Sequence, residues 1–134
     1  MNSRTIASVL VRNGDRYLFI RQNKPGGAYP DTLHIPGGGL EPGETPIEAA
    51  IREIKEEVGL DIINVKPVDF DWDTVPYKGE DTVLIFLRFS AESESLRAVP
   101  SSDAQEIVWV RREDLASQAH NPPSLRFLKK LELI

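Results

Sequence analysis

Two stretches rich in apolar residues open the chain, Thr5 to Arg12 and Arg16 to Arg21. They flank Asn13-Gly14-Asp15, and Asn-Gly between such runs predicts a hairpin of two strands. In the second run Leu18 and Ile20 alternate with Tyr17, Phe19 and Arg21, the period of a half-buried strand. Pro25, Gly26, Gly27 and Pro30 make Asn23 to Asp31 a loop. Leu33 to Ile35 reads as a short strand feeding the loop Pro36-Gly37-Gly38-Gly39. The period then changes to that of a helix from Pro46 to Val58. Thr45 is its N-cap, Glu48 completes a capping box, Pro46 takes the first helical position and Gly59 the C-terminal cap. Ile47, Ala50, Ile51, Ile54 and Val58 are its predicted core face. Asp61 to Trp72 reads as a strand with an irregularity at Pro67, Val75 to Asp81 as a loop, and Asp81 to Ala91 as a further strand. Beyond the polar segment Pro100 to Gln105 come a strand over Glu106 to Val110 and a short helix over Arg112 to Gln118. Last is a helix over Pro123 to Leu131, with Ser124 as a cap candidate. Strands and helices interleave, so the class is α/β. No linker or repeat divides the chain, and residues 1–134 read as a single domain.

Charge and composition narrow the chemistry. The net charge is −5. Duplex DNA, long RNA and anionic membranes are bound by Lys and Arg neutralising phosphates, so none of them is an expected partner. A small phosphorylated ligand stays compatible with an acidic protein if metal ions bridge the two. With no Cys, disulfides, thiolate zinc sites and thiol nucleophiles are excluded, which fits a cytoplasmic protein. The apolar run Ile6 to Val11 is too short to span a membrane.

The chemistry concentrates in residues 38–60. A Gly-rich loop leads into the helix that carries Glu53, Glu56 and Glu57. Positions i, i+3 and i+4 share one helical face, so the three carboxylates form a stripe and repel one another. Such a cluster of hard oxygen ligands is what Mg²⁺ or Mn²⁺ requires. The other reading is a solvated face, with Arg52 and Glu56 as an ordinary i,i+4 pair. Asp69, Asp71 and Asp73 with Glu80 imitate the acids of a calcium loop. Thr74 stands where the turn glycine belongs and Pro76 interrupts the run, so calcium is not expected. Phe70, Trp72 and Tyr77 are aromatic positions for packing or for stacking on a base.

This segment resembles the Nudix box at every defined position. Gly38 is followed by Glu44, then Arg52-Glu53, the aliphatic Ile54, Glu56-Glu57 and Gly59-Leu60, each at the family spacing. The resemblance implies a Nudix-like α/β/α sandwich with a mixed β-sheet. It implies metal-dependent hydrolysis of a phosphoanhydride in a nucleoside diphosphate linked to a further group X, such as a nucleoside triphosphate or ADP-ribose. By the same resemblance Glu56 and Glu57 are metal ligands, and Glu53 is a ligand or the base for the attacking water. Glu44 and Arg52 orient the glutamates, and Gly37 or Gly38 offers a carbonyl to the metal. Arg21 is the expected substrate-phosphate contact. Glu106, or failing it Asp103, is the expected acid from outside the box, and Leu33 stands where members commonly have Trp. His34 is a weaker candidate for substrate contact, and His120 weaker still. A homodimer is compatible with the resemblance. The alternative is a catalytically inactive, nucleotide-binding or regulatory relative, which loss of box glutamates would signal; none is lost. Nudix-fold isomerases of isoprenoid diphosphates use a Cys, which this chain lacks.

Overall fold

A computed structural model describes residues 2–22, 31–102 and 105–134. Most of the loop expected over Asn23 to Asp31, and the acid Asp103, lie outside them. Among the described residues seven strands form one mixed sheet, ordered β3-β2-β1-β6-β5, with β4 added to β1 and β7 to β2. The chain runs β1 (Asn2–Asn13), β2 (Arg16–Gln22), β3 (Leu33–His34), β4 (Gly37–Gly39), α1 (Pro46–Val58), β5 (Ile63–Tyr77), β6 (Glu80–Glu92), β7 (Gln105–Arg111), a 3₁₀ turn (Arg112–Ser117) and α2 (Pro122–Lys130).

β1 organises the sheet. It turns at Gly14, whose φ of 59° suits glycine, into antiparallel β2. It pairs antiparallel with β4 and parallel with β6, from Asn2 opposite Thr82 to Arg12 opposite Glu92. Alternation along β1 sends Ala7, Val9 and Val11 to one face, where they pack with Leu18, Ile20, Ala50, Ile54 and Val58. On the other face Leu10 joins Phe19, Leu33, Leu115, Phe127 and Leu128. The sheet therefore lies between α1 and α2, as the box resemblance implied.

Four details differ from the sequence reading. The glycines 37–39 are a strand: Gly37, Gly38 and Gly39 lie opposite Ser8, Ala7 and Ile6. A Cβ on Gly37 would collide with the Ala7 carbonyl oxygen, so the close approach requires glycine there. The span Val75 to Asp81 is mostly strand, because β5 and β6 join through Lys78-Gly79 alone. Both have positive φ, 51° and 82°, as a two-residue hairpin turn demands. Pro67 and Pro76 are tolerated because β5 is an edge strand, and the expected irregularity appears as a register shift between Pro67 and Asp69. On α1, Ile47 and Ile51 are 41% and 43% exposed and Ala49 is buried instead. The cap of α2 is Asn121, whose side chain accepts from the Ser124 N–H; the Ser124 hydroxyl instead accepts from the Ile35 N–H at 3.0 Å.

Candidate active site

Local capping chemistry aims the glutamates. Thr45 accepts from the Glu48 N–H, Glu48 accepts from the Thr45 N–H, and Gly59 closes the helix at φ 70°. With both ends fixed, Glu53 and Glu57 fall on the flank facing β4. The Gly37 N–H donates to Glu57 Oε2 at 3.1 Å. A Cβ on Gly38 would strike the Glu53 carboxylate, so Gly38 makes room for that side chain.

Arg52 joins the parts. Its Nε and Nη2 donate to both oxygens of Glu44 at 2.6 and 2.8 Å, a bidentate pair. Nη2 also donates to the Gly39 carbonyl at 3.0 Å, and Nη1 donates to Glu53 at 2.9 Å and Glu56 at 3.1 Å. Glu44 accepts the Glu41 N–H as well. The Arg52 guanidinium holds the Glu44 carboxyl down to about 2, and Glu44 in turn raises the basicity of Arg52. The i,i+4 contact with Glu56 is therefore one arm of a hub. The same cation offsets much of the repulsion along the stripe.

Glu57 has a different environment. Burial pushes its carboxyl up to about 7, with the neighbouring charge of Glu53 adding to the effect against the hydrogen bonds from Gly37 and Gln105. Gln105 Nε2 donates to Glu57 Oε1 at 3.4 Å. Sequence reasoning missed Gln105; its place becomes visible only with the β2–β7 register. Among the described residues no three acidic or histidine side chains already close around a common point. The donors nevertheless fit a divalent cation: carboxylates of Glu53, Glu56 and Glu57 beside a glycine strand, one of them destabilised as an anion until a positive charge arrives.

That destabilisation has a pH signature. Without metal, the neutral Glu57 carboxyl stabilises the fold. The contribution is complete below the ordinary 4.5 and is lost as pH rises through about 7. Glu44 runs the other way: its contribution is present above 4.5 and lost as pH falls towards 2. A divalent ion held by Glu57 would have to displace its proton, so apparent Mg²⁺ affinity would then fall by up to about tenfold per unit below pH about 7 and level off above it. Calorimetric titration at several pH values checks this, and a flat profile would contradict it.

The remaining predicted residues lie on other sides of the sheet. Arg21 and Glu106 are cross-strand partners, and Arg21 Nη1 donates to Glu106 at 3.3 Å. Along β7, Ile107 and Trp109 pack with the α1-side core and Val108 with the α2-side core, so Glu106 points away from the face that brings Gln105 to Glu57. His34 lines a cleft with Ile6, Ser8, Gly37, Phe86 and Asn121, between the sheet and the start of α2. Gly37 thus faces this cleft and also bonds Glu57. The His120 ring lies tilted against Phe19 and its Nε2 is 2.7 Å from the Leu115 carbonyl, a structural position. Asp69 and Asp71 are bonded by Arg88, Arg126 and Lys130, and Arg126 also reaches Asp73. Arg88, only 5% exposed, holds Asp69 below the usual carboxylate range. These acids tie β5 and β6 to α2 and have no vacancy for calcium. Phe70 and Trp72 stack on each other at 6.2 Å on the opposite, exposed face of β5.

The family model for the NUDIX domain matches residues 2–131. The chain belongs to the Nudix family. Its relatives include nucleoside triphosphatase NudI of Enterobacter sp. (strain 638), 37% identical over 123 residues and covering 86% of each chain. NudI of Escherichia coli (strain K12) is 32% identical over 136 residues, covering 96% of each. Among solved structures, a MutT NUDIX hydrolase from Burkholderia pseudomallei has a TM-score of 0.78 at 19% identity, covering 96% of this chain and 98% of that one. A NUDIX hydrolase from Nitrosomonas europaea has a TM-score of 0.77 at 22% identity, covering 98% and 89%. These structures share the fold, a mixed sheet with flanking helices. The Nudix chain is an enzyme of the hydrolase class, in a family whose hydrolases generally need divalent metal ions. Among its described residues no helix is long and apolar enough to cross a membrane.

Proposed function

We propose that this Nudix enzyme hydrolyses a phosphoanhydride bond of a nucleoside diphosphate linked to X, with nucleoside triphosphates as the first substrate class. The products would be a nucleoside monophosphate and pyrophosphate, or a phosphorylated X. One observation carries the reading: β4 has the cleft of Ile6, Ser8, Phe86 and Asn121 on one side and Glu53 and Glu57 on the other. A nucleoside in the cleft directs its phosphates across Gly37 and Gly38 to the carboxylates. The names of the NudI relatives point to the same substrate class.

Glu53, Glu56 and Glu57, with a carbonyl of Gly37 or Gly38, would hold Mg²⁺ or Mn²⁺. The bound metal would supply charge neutralisation on phosphoryl oxygens and a more acidic water. Glu53, set against Gly38, would serve as a metal ligand or as the base that takes the proton of the attacking water. Arg52 fixes Glu53 and Glu56 while Glu44 fixes Arg52, and placement to about 1 Å matters for such chemistry. Arg21, oriented by Glu106, contacts substrate phosphate. The cytoplasm, where nucleotides and Mg²⁺ are supplied, is the proposed compartment.

The test is a panel of nucleoside and deoxynucleoside triphosphates, ADP-ribose and dinucleoside polyphosphates, followed by phosphorus NMR. Hydrolysis should give the monophosphate, stop with EDTA and resume with Mg²⁺ or Mn²⁺. Undiminished turnover in metal-free buffer would refute the mechanism. Binding without turnover across the panel would favour an inactive nucleotide-binding domain.

A further inference from the structure

We infer that Arg4, steadied by Tyr77, reads the outer edge of the nucleobase and favours bases that carry an oxygen there: guanine, hypoxanthine, uracil and thymine over adenine and cytosine. The inference rests on a nucleoside occupying the cleft, as proposed above, and names the residue that selects its base. Alternation along β1 puts Arg4, Ile6, Ser8 and Leu10 on the face covered by α2. Ile6 and Ser8 line the cleft, and so does Phe86, the cross-strand neighbour of Ile6. Arg4 is the next residue of that row, about 7 Å along the strand from Ile6. On β5, Asp71 lies opposite Phe86, and alternation from Asp71 through Asp73 and Val75 brings Tyr77 to the same face. The row thus starts beside Gly37, which lies opposite Ser8 and bonds Glu57, and ends at Arg4. Phosphates directed across Gly37 leave the base on Ile6 and Phe86, with its outer edge toward Arg4.

The guanidinium is folded back toward the cleft. Gly39 lies opposite Ile6, and a Cβ there would stand 3.0 Å from Arg4 Nη2 and 3.4 Å from Nε. The Nε–Nη2 edge is therefore beside Ile6. Nη1 donates to the Tyr77 hydroxyl at 3.0 Å, and Cζ lies 5.3 Å from the centre of the Tyr77 ring. Lys78 flanks the same ring, its Nζ at 5.4 Å. Glu41 and Glu53 line an adjoining concavity, yet among the described residues Arg4 forms no ion pair. This end of the cleft offers donors: a guanidinium that never deprotonates, an ammonium, and a tyrosine whose oxygen is already accepting and whose O–H remains to donate. Base edges differ in what they return. Guanine presents O6 and N7, two acceptors that an arginine fork grips together, and uracil and thymine present O4. Adenine and cytosine present an amino group, so donor would meet donor. Tyr77 is a positioning residue, since it acts through Arg4.

Inosine and adenosine triphosphates isolate this edge, because sugar, phosphates and N7 are common to both. Their kcat/KM values at saturating Mg²⁺ are compared for wild type, Arg4→Gln, Arg4→Met and Tyr77→Phe. Wild type should favour the inosine nucleotide by about tenfold or more, the scale of one bidentate base contact. Arg4→Gln should level or invert the ratio, since an amide offers one donor and one acceptor, the match for adenine N6 and N7. Arg4→Met should level it without inversion. Tyr77→Phe should lower the ratio by a smaller factor, through KM for the inosine nucleotide, and it carries the test if the Arg4 variants fail to fold. A wild type without preference overturns the inference and leaves the hydrolase reading standing. So do Arg4 variants that slow both substrates equally, which would put Arg4 on the phosphates that the two share. If wild type hydrolyses neither nucleotide, the hydrolase reading falls, and calorimetric dissociation constants decide the inference alone. Equal constants overturn it, and unequal ones that Arg4→Gln levels sustain it.

Discussion

Replacing Glu57 with glutamine should lower kcat by on the order of 10²-fold or more, through loss of metal-held charge stabilisation in the transition state. The fold should not suffer. Glu57 is an unfavourable anion in the metal-free protein, pushed up to about 7 by burial and by Glu53. An amide keeps the shape, still accepts from the Gly37 N–H, and removes the charge that burial opposes. Above pH about 7 the metal-free variant should therefore unfold at the same or a higher denaturant concentration than wild type. The paired result, large loss of rate without loss of stability, separates a functional carboxylate from a structural one. A kcat within threefold of wild type would remove Glu57 from the mechanism.

Arg52→Ala should be comparably damaging to rate, again on the order of 10²-fold in kcat, but by another route. Arg52 acts through its partners Glu44, Glu53, Glu56 and the Gly39 carbonyl. Without it Glu41, Glu44, Glu53 and Glu56 lose their shared cation, and β4 loses one of its ties to α1. Thermal stability should fall together with rate, in contrast to Glu57→Gln. Arg52→Lys should rescue little, because one ammonium cannot reproduce the bidentate bond to Glu44 and reach Gly39 at the same time. Near-complete rescue by lysine would mean that charge alone, and not the fork, organises the stripe.

The parts of the molecule legible in the sequence are those written by short-range chemistry. Thr45, Glu48, Pro46 and Gly59 place both ends of α1 because capping involves residues three or four apart. The Glu44–Arg52 pair is legible for a related reason, since loop and helix are contiguous. The core face of α1 is harder. Ile47 and Ile51 satisfy the helical period, but the buried stripe is rotated toward Ala49, Ala50, Ile54 and Val58, where small side chains let the helix approach the sheet. The Lys78-Gly79 turn is obscured because its strand-like flank contains Pro76, and only the edge position of β5 makes that proline acceptable. Gln105 beside Glu57, and Arg21 facing Glu106, depend on strand register between segments far apart in sequence, which no local pattern encodes.

The parallel pairing of β1 with β6 has a consequence for how an active molecule comes into being. β1 forms early in synthesis, but its long parallel partner is Thr82 to Glu92, most of the chain later. The glycine strand leans on β1, and the glutamates lean on the glycine strand. Non-local pairing of this kind is slow because chain closure comes before the contacts that reward it. A nascent chain that has already emerged past the whole Nudix box would hold every residue of the stripe and still be catalytically silent. Hydrolysis should begin only once β6 has docked on β1.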